Sequence, residues 1–277
     1  MKRPMLLWIV ALVITLVAAY YQRITGPTYP VSIHTGISGK RLDLQLERSH
    51  GGDRNATVRF NTGDATIQGL LEWKRFKTGD DWALVPMVSR EGMLIGELPY
   101  QPPAGKLEYR VVLRAGSETV NVPPEGSVVM RFKGDVPPFI LIPHVLAMFG
   151  AMLLSTRAGL EIFNTSPRLK PLTFWTLGLL FVGGLLFGPI VQKYAFGEYW
   201  TGIPFGTDLT DNKTLIAFLG WVVAAFALYK SSRPRIWVSL AAVLLFVVYL
   251  IPHSVLGSEL DYAKTAGQTQ DVRTVPH

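Results

Sequence analysis

The sequence predicts an α+β membrane protein, with five transmembrane helices (one N-terminal, four C-terminal) and an all-β domain inserted after the first. Three observations lead there. Of 277 residues, 49% are hydrophobic and only 17% charged, where a soluble domain carries about a quarter charged residues. The apolar residues are concentrated in one N-terminal run and four C-terminal runs, each near the ~20 residues that span a hydrocarbon core. Between them, residues 22–137 alternate apolar and polar positions in short stretches, the period of half-buried strands. Such hydrophobicity excludes a largely disordered chain. The absence of cysteine excludes disulfides, thiolate–metal sites, c-type haem attachment and a cysteine nucleophile.

The first run, Met5–Tyr21, follows Lys2 and Arg3. A basic start and the Ala18-Ala19 end suit a signal peptide, whereas Tyr20 and Tyr21 suit an interfacial aromatic anchor. An uncleaved anchor, residues 1–21, is the preferred reading. The later runs are Phe139–Thr156, Leu172–Val191, Thr214–Tyr229 and Ile236–Leu256. The third of these four is marginal by length, which either a smaller tilt or an extension through Asn212 and Lys213 would accommodate. A soluble helical core would need polar faces at 3.6 spacing, and these runs are apolar all round. They define a four-helix membrane domain, 138–257, and a tail, 258–277.

Basic residues orient the spans. Lys2 and Arg3, then Arg157, Arg168 and Lys170, then Lys230, Arg233 and Arg235 all fall on one side of a five-span chain, which the positive-inside rule makes cytoplasmic. The β-domain, the loop from Val191 to Lys213 and the C-terminal tail then face the periplasm of a bacterial inner membrane. The formal net charge of +7 is thus a matter of topology, and no nucleic-acid partner is expected.

In the inserted domain, residues 22–137, strands are expected at Val31–Thr35, Leu42–Leu46, Thr57–Phe60, Gly69–Phe76, Ala83–Val88, Met93–Leu98, Leu107–Leu113, Glu118–Val122 and Val128–Phe132. Leu42, Leu44 and Leu46 alternate with Asp43 and Gln45, the pattern of an antiparallel strand with one face in the core. Gly51-Gly52, Thr62-Gly63-Asp64, Thr78-Gly79-Asp80, Pro102-Pro103-Ala104-Gly105 and Ala115-Gly116-Ser117 punctuate them. Many short strands over about 100 residues suggest a β-sandwich. The stretch Pro102-Pro103-Ala104-Gly105-Lys106-Leu107-Glu108-Tyr109-Arg110-Val111 resembles immunoglobulin-like and fibronectin type III domains, where a Pro/Gly turn leads into a strand with an inward tyrosine. That resemblance implies an Ig-like sandwich and a docking or adhesion module. The Cys…Trp…Cys pattern of such domains is missing, and Trp73 stands as the candidate core tryptophan. His34 and His50 read as surface residues, and Asp80-Asp81 as a hairpin tip in preference to a cation site.

Chemistry in the membrane half centres on a repeated string, Leu141-Ile142-Pro143-His144 and Leu250-Ile251-Pro252-His253. By helical rise, His144 lies about 9 Å and His253 about 6 Å inside the same face. Three cofactor readings follow: axial ligation of a haem; a copper or zinc site completed by Glu198, Asp208, Asp211 or Glu259; or hydrogen bonding to a quinone. The preferred reading is simpler, with each imidazole bonding a backbone carbonyl freed by its adjacent proline. The segment Gly188–Lys213, with five aromatics among its glycines, reads as an interfacial belt or lid. Thr210 or Asp211 is expected to N-cap the helix that follows, and Arg157 and Glu161 to form a modest surface ion pair. Gly183, Gly184, Gly188, Gly150 and Ala151 permit close helix contacts.

There is no Walker loop, zinc-protease motif or Gly-x-Ser-x-Gly elbow. In Pro143-His144, the stretch Ser155–Glu161 and the aromatic loop, the helical half is similar to uncharacterised bacterial multi-pass membrane proteins, a resemblance that implies location without activity. The functional expectation is a non-enzymatic accessory or scaffold subunit of a larger membrane assembly, respiratory and photosynthetic ones included. It would dock membrane-protein and periplasmic partners. The alternative is a haem-, metal- or quinone-binding redox protein built on His144 and His253.

Overall fold

A computed structural model describes residues 3–252, 257 and 259–262. Its contacts divide the chain into two compact units: Met1–Pro27 with Val136–Ser258, and Thr28–Asp135 with the segment that begins at Glu259.

The first unit is helical. It comprises α1 (Arg3–Thr25), α2 (Pro138–Gly159), α3 (Leu169–Leu180), α4 (Gly188–Phe196), α5 (Leu209–Lys230) and α6 (Pro234–Leu250). A 3₁₀ turn, Leu160–Phe163, prolongs α2, and a π-helical segment, Phe181–Phe187, joins α3 to α4 into one continuous helix. Four helical stretches are long and apolar enough to cross a membrane: Pro4–Thr25, Pro138–Phe163, Leu169–Phe196 and Leu209–Lys230. The fifth, Pro234–Leu250, has 17 residues, about 25 Å of rise. It stops earlier than the run Ile236–Leu256 suggests because Pro252 disfavours helical geometry in the residue before it, and Ile251 is extended. Conversely, α5 begins at Leu209, five residues ahead of the expected Thr214.

Alanines make up much of the helical core, beside larger residues such as Met152, Leu180, Leu245 and Tyr249. Ala151, Ala158, Ala217, Ala224 and Ala241 pack with the fully buried Trp221. Small residues permit the close van der Waals approach by which apolar helices associate where lipid supplies no hydrophobic force between them. Gly183 illustrates this: a Cβ there would sit 2.9 Å from that of Ala147. Outward positions such as Leu146, Phe226 and Leu240 are large, apolar and exposed, a surface suited to contact with a lipid bilayer.

The second unit is all-β in its strands: β1 (Val31–Ile37), β2 (Lys40–Leu46), β3 (Ser49–Gly51), β4 (Ala56–Asn61), β5 (Gln68–Arg75), β6 (Ala83–Pro86), β7 (Val88–Arg90), β8 (Met93–Leu98), β9 (Lys106–Ala115), β10 (Glu118–Val122) and β11 (Val128–Lys133). They form a β1–β2 hairpin, a sheet ordered β3-β11-β9-β5-β6 with β10 also on β9, and a sheet ordered β4-β8-β7. Every expected strand is present. The run Ala83–Val88 splits at Met87, whose side chain lies against Gly69 of β5 and Gly96 of β8; a Cβ on Gly69 would come within 2.8 Å of its sulfur. One chain segment therefore borders both sheets. Two findings depart from the all-antiparallel expectation: β3 is an additional strand, and it pairs parallel with β11.

One core unites the three sheets, including Leu44, Leu46, Phe60, Leu71, Tyr109 and Phe132. Tyr109 is inward as expected, and its hydroxyl donates to the Glu47 carbonyl at 2.7 Å, so its single polar atom is satisfied within an apolar interior. Trp73 does not take the expected central place: it packs against the core from its edge. Tight turns at Ser38-Gly39 and Glu91-Gly92, both residues of each at positive φ, close two-residue hairpins of the twist-compatible kind.

Candidate functional site

The polar side chains of the helical unit collect where α4, α5 and α6 meet the long loop after α4. Gly197, at φ 89°, ends α4 with its N–H on the Lys193 carbonyl, the αL stop that glycine permits. The chain then turns tightly, with Phe205 N–H and Gly206 N–H both on the Gly202 carbonyl at 2.9 Å, and returns through Asp208 N–H to Thr201 O at 3.0 Å.

Asp211 holds this loop. Its Oδ2 accepts from the Thr201 N–H at 2.6 Å, the Gly202 N–H at 3.0 Å and Gln192 Nε2 at 3.1 Å. Two successive amides aimed at one carboxylate oxygen form an anion cradle, and the anion is supplied by the chain itself. Asn212 Oδ1 adds a bond from the Ile203 N–H at 2.7 Å. Gly202 is required here, since a Cβ would lie 2.6 Å from that of Asp211. The N-cap of α5 is Asp208, whose carboxylate accepts from the Thr210 and Asp211 amides. This corrects the expectation of Thr210 or Asp211: the earlier aspartate caps, and the later one is turned back to bind the loop. Tyr199, Ile203 and Phe205 remain exposed at the tip, Phe205 to 82%.

The last carbonyls of α6 have no intrahelical partners and are met from two other helices. Gln22 Nε2 donates to Tyr249 O at 2.8 Å, and Lys213 Nζ donates to Ile251 O at 2.6 Å. A cation at a helix C-terminus is also favoured by the backbone dipole. Lys213 is buried, so this contact accounts for a charge that the sequence left unexplained.

His144 lies on α2, half-buried, with Nδ1 2.9 Å from the Gly183 carbonyl. A carbonyl only accepts, so Nδ1 carries the proton and Nε2 the lone pair. The carbonyl belongs to the π-helical segment of the neighbouring helix, and not to the one Pro143 frees in α2. His253 falls outside the described residues. Of the other candidate ligands, Glu198 is exposed beyond Gly197, Asp208 and Asp211 are the cap and the loop anchor, and Glu259 belongs to the β unit. Among the described residues no three His, Asp or Glu side chains converge as metal ligands.

A second polar cluster, read from sequence as a surface pair, is buried. Arg157 Nη1 lies 2.5 Å from Glu161 Oε1, with side chains 4% and 0% exposed. Glu161 Oε2 also accepts from Asn164 Nδ2 at 2.9 Å and from the Arg168 amide at 3.0 Å, and the Arg157 guanidinium stands 5.4 Å from the Trp8 ring centre. The available signal was Ser155, Ala158 and Gly159 around the arginine: small neighbours let other helices close over it.

In the β unit, His34 forms an exposed cross-strand pair with Asp43 at 2.6 Å, and His50 lies 3.0 Å from the Arg54 carbonyl. Asp80 is bound by the Arg75 fork at 2.6 and 2.9 Å, which makes the Asp80-Asp81 tip a structural ion pair, and that bond holds the Asp80 carboxyl below its usual range. Glu259 bridges Lys106 at 2.7 Å and Lys77 at 2.8 Å. Tyr262 Oη accepts from the Lys106 N–H and donates to its carbonyl, both at 2.9 Å. The returning segment is thereby pinned beside a cleft of about 510 Å³. Burial acts to raise the Glu259 carboxyl, but the lysine hydrogen bonds outweigh it and hold it below its ordinary value.

No protein-family model matches this chain, and no curated protein matches it.

Proposed function

We propose that the protein is a non-enzymatic, five-span subunit of a bacterial inner-membrane assembly, with its β unit periplasmic and serving as the docking module. The observation carrying this reading is how the ionisable groups of the helical unit are used. Asp211, Asp208, Lys213, Arg157 and Glu161 each bind another part of the same unit, which is the chemistry of a scaffold. Counting Pro234–Leu250 as a fifth span puts all three basic clusters on one side, in accord with the positive-inside rule. The inward Tyr109 and its hydroxyl bond support the Ig-like likeness, whereas the peripheral Trp73 and the parallel β3–β11 pair are departures from it.

The docking surface we favour is the segment Ala83–Arg90, in which β6 and β7 are the outer strands of their sheets. Leu84 and Val88 on it are 59% and 55% exposed, and an uncovered edge with apolar side chains invites strand addition or partner contact. Photo-crosslinkers at Leu84 and Val88 should capture a discrete partner in native membranes, while one at Arg41 should not. Equal capture at all three positions would remove the support for this edge.

The competing reading keeps His144 as a ligand, because its Nε2 lone pair is not consumed by the Gly183 contact. A visible spectrum with metal analysis separates the two. A Soret band or stoichiometric metal that disappears in His144→Ala or His253→Ala would replace the scaffold reading with a redox one.

A further inference from the structure

A groove of about 350 Å³ opens on the helical unit between α1, the end of α2 and α6. Its walls include Ile14, Gly159, Ile162, Phe163, Ala242 and Phe246. Two hydroxyl residues, Thr156 and Ser239, line it among the apolar side chains, and Ser239 Oγ is engaged, donating to the Gly159 carbonyl at 3.3 Å. The small residues Gly159 and Ala242 make its floor, since a Cβ on Gly159 would lie 2.8 Å from the Ala242 Cβ.

A basic residue lies one helical turn beyond the groove lining on the same face of α6. On α6, Arg235, Ser239, Ala242 and Phe246 share one face at helical spacing. The Arg235 guanidinium reaches the Thr165 carbonyl at 3.4 Å, next to the turn that carries Ile162 and Phe163. The acidic residue of that turn, Glu161, is neutralised by Arg157 and bound by Asn164 and the Arg168 amide, so it does not cancel the charge of Arg235. From Arg235 to Phe246 is about 16 Å of helical rise, close to half of a hydrocarbon core of about 30 Å. Ile14 lies about the same rise from the start of α1. A crossing helix of a partner would need a face twice that long; one acyl chain of one leaflet fits it.

We propose that this groove is a binding site for a single anionic phospholipid, with an acyl chain against Gly159 and Ala242 and the phosphate on Arg235. Basic pockets between helices near a membrane face hold anionic headgroups by this combination of charge and apolar burial. The proposal rests on the membrane-spanning reading alone and is independent of the docking partner.

The test is native mass spectrometry of the detergent-purified full chain with phosphatidylglycerol or phosphatidylcholine added. One phosphatidylglycerol should be retained with at least about tenfold preference, a difference of about 1.4 kcal/mol. Arg235→Gln should reduce that preference to near unity. Val243→Trp, which fills the groove from an exposed position, should abolish retention of both lipids, and Ile216→Trp on the exposed face of α5 should not. If Val243→Trp fails to fold, Ile162→Trp replaces it. Unchanged retention in Arg235→Gln and the filled-groove variant would overturn the site, as would several lipids bound without preference. Loss of a co-purifying subunit with lipid retained would assign the groove to a protein partner instead. A protein that stays soluble without detergent would refute the membrane reading, which is a distinguishable failure.

Discussion

Replacing Asp211 by alanine removes the acceptor shared by the Thr201 and Gly202 amides. The carboxylate is buried, and water does not readily replace it there. A buried donor left without its partner costs about 1–3 kcal/mol, so stranding two costs about 4 kcal/mol in all. Because the contacts tie a loop to the first turn of α5, the loss falls on local opening and not on the helical core. At 1.4 kcal/mol per tenfold, protection of the two amides should fall about 1000-fold. Hydrogen exchange read by mass spectrometry on the protein in lipid nanodiscs measures this, with peptides from α2 as the internal reference. Asp211→Asn keeps one oxygen of similar placement but loses the charge that strengthens such bonds, and should cost about 1–2 kcal/mol. Unchanged exchange at Thr201 and Gly202 in Asp211→Ala would show that the loop does not depend on this carboxylate, and the account of the site would fail with it.

The buried pair on α2 makes a sharper energetic prediction: Glu161→Ala should destabilise by about 3–5 kcal/mol, because it abandons the Arg157 charge in the interior. Replacing both, by Arg157→Met with Glu161→Leu, should cost less than either single change in thermal unfolding in detergent; additive losses would argue against a coupled pair. In the β unit, Asp80 and Glu259 titrate below their ordinary values of 3.8 and 4.5. Depressed carboxylates stabilise fully above those values and lose that contribution as pH falls through the folded ones. Exchange at the Lys106 and Leu260 amides should therefore be flat from neutral pH to about 5 and quicken only below about 4, after correction for intrinsic rates; quickening near neutral pH would implicate other groups. Cysteines at Ser117 and Ser232 should label from opposite sides of the membrane in spheroplasts, and same-side labelling would refute the five-span topology.

The elements that the sequence made legible are those encoded by local pattern. Leu42, Leu44 and Leu46 alternate in sequence and are all buried in β2, because period two maps directly onto one face of a strand. The apolar runs became helices, which satisfy their backbone groups within one segment and so need no polar surroundings. What local pattern does not encode was missed. The three residues of β3 gain strand geometry only through β11, about 80 positions later in sequence. Met87 divides its run because two glycines from different sheets meet it, a coincidence visible only in space. At the site, Asp208 and Asp211 have equal claims to cap α5 by residue type. Loop closure decides between them: the chain's return brings the Thr201 and Gly202 amides onto the later carboxylate, while the earlier one accepts from the Thr210 and Asp211 amides. The burial of Arg157 and Glu161 had a faint signal in their small neighbours, but i,i+4 spacing alone is shared with countless surface pairs.

The attachment of Glu259 and Tyr262 to Lys106 has a consequence for biosynthesis. The partners are 153 and 156 positions apart, and the intervening chain includes α2 through α6. Residues 28–135 leave the ribosome before α2 through α6 and can collapse around Tyr109 while those helices are still being made. The Lys106 ammonium and backbone must wait for their partners until the last helix has been translated and the chain has come back. Closure of that contact thus reports that α2 through α6 have all been made: a chain stalled or truncated within them carries a β unit whose Lys106 has neither Glu259 nor Tyr262 to bind.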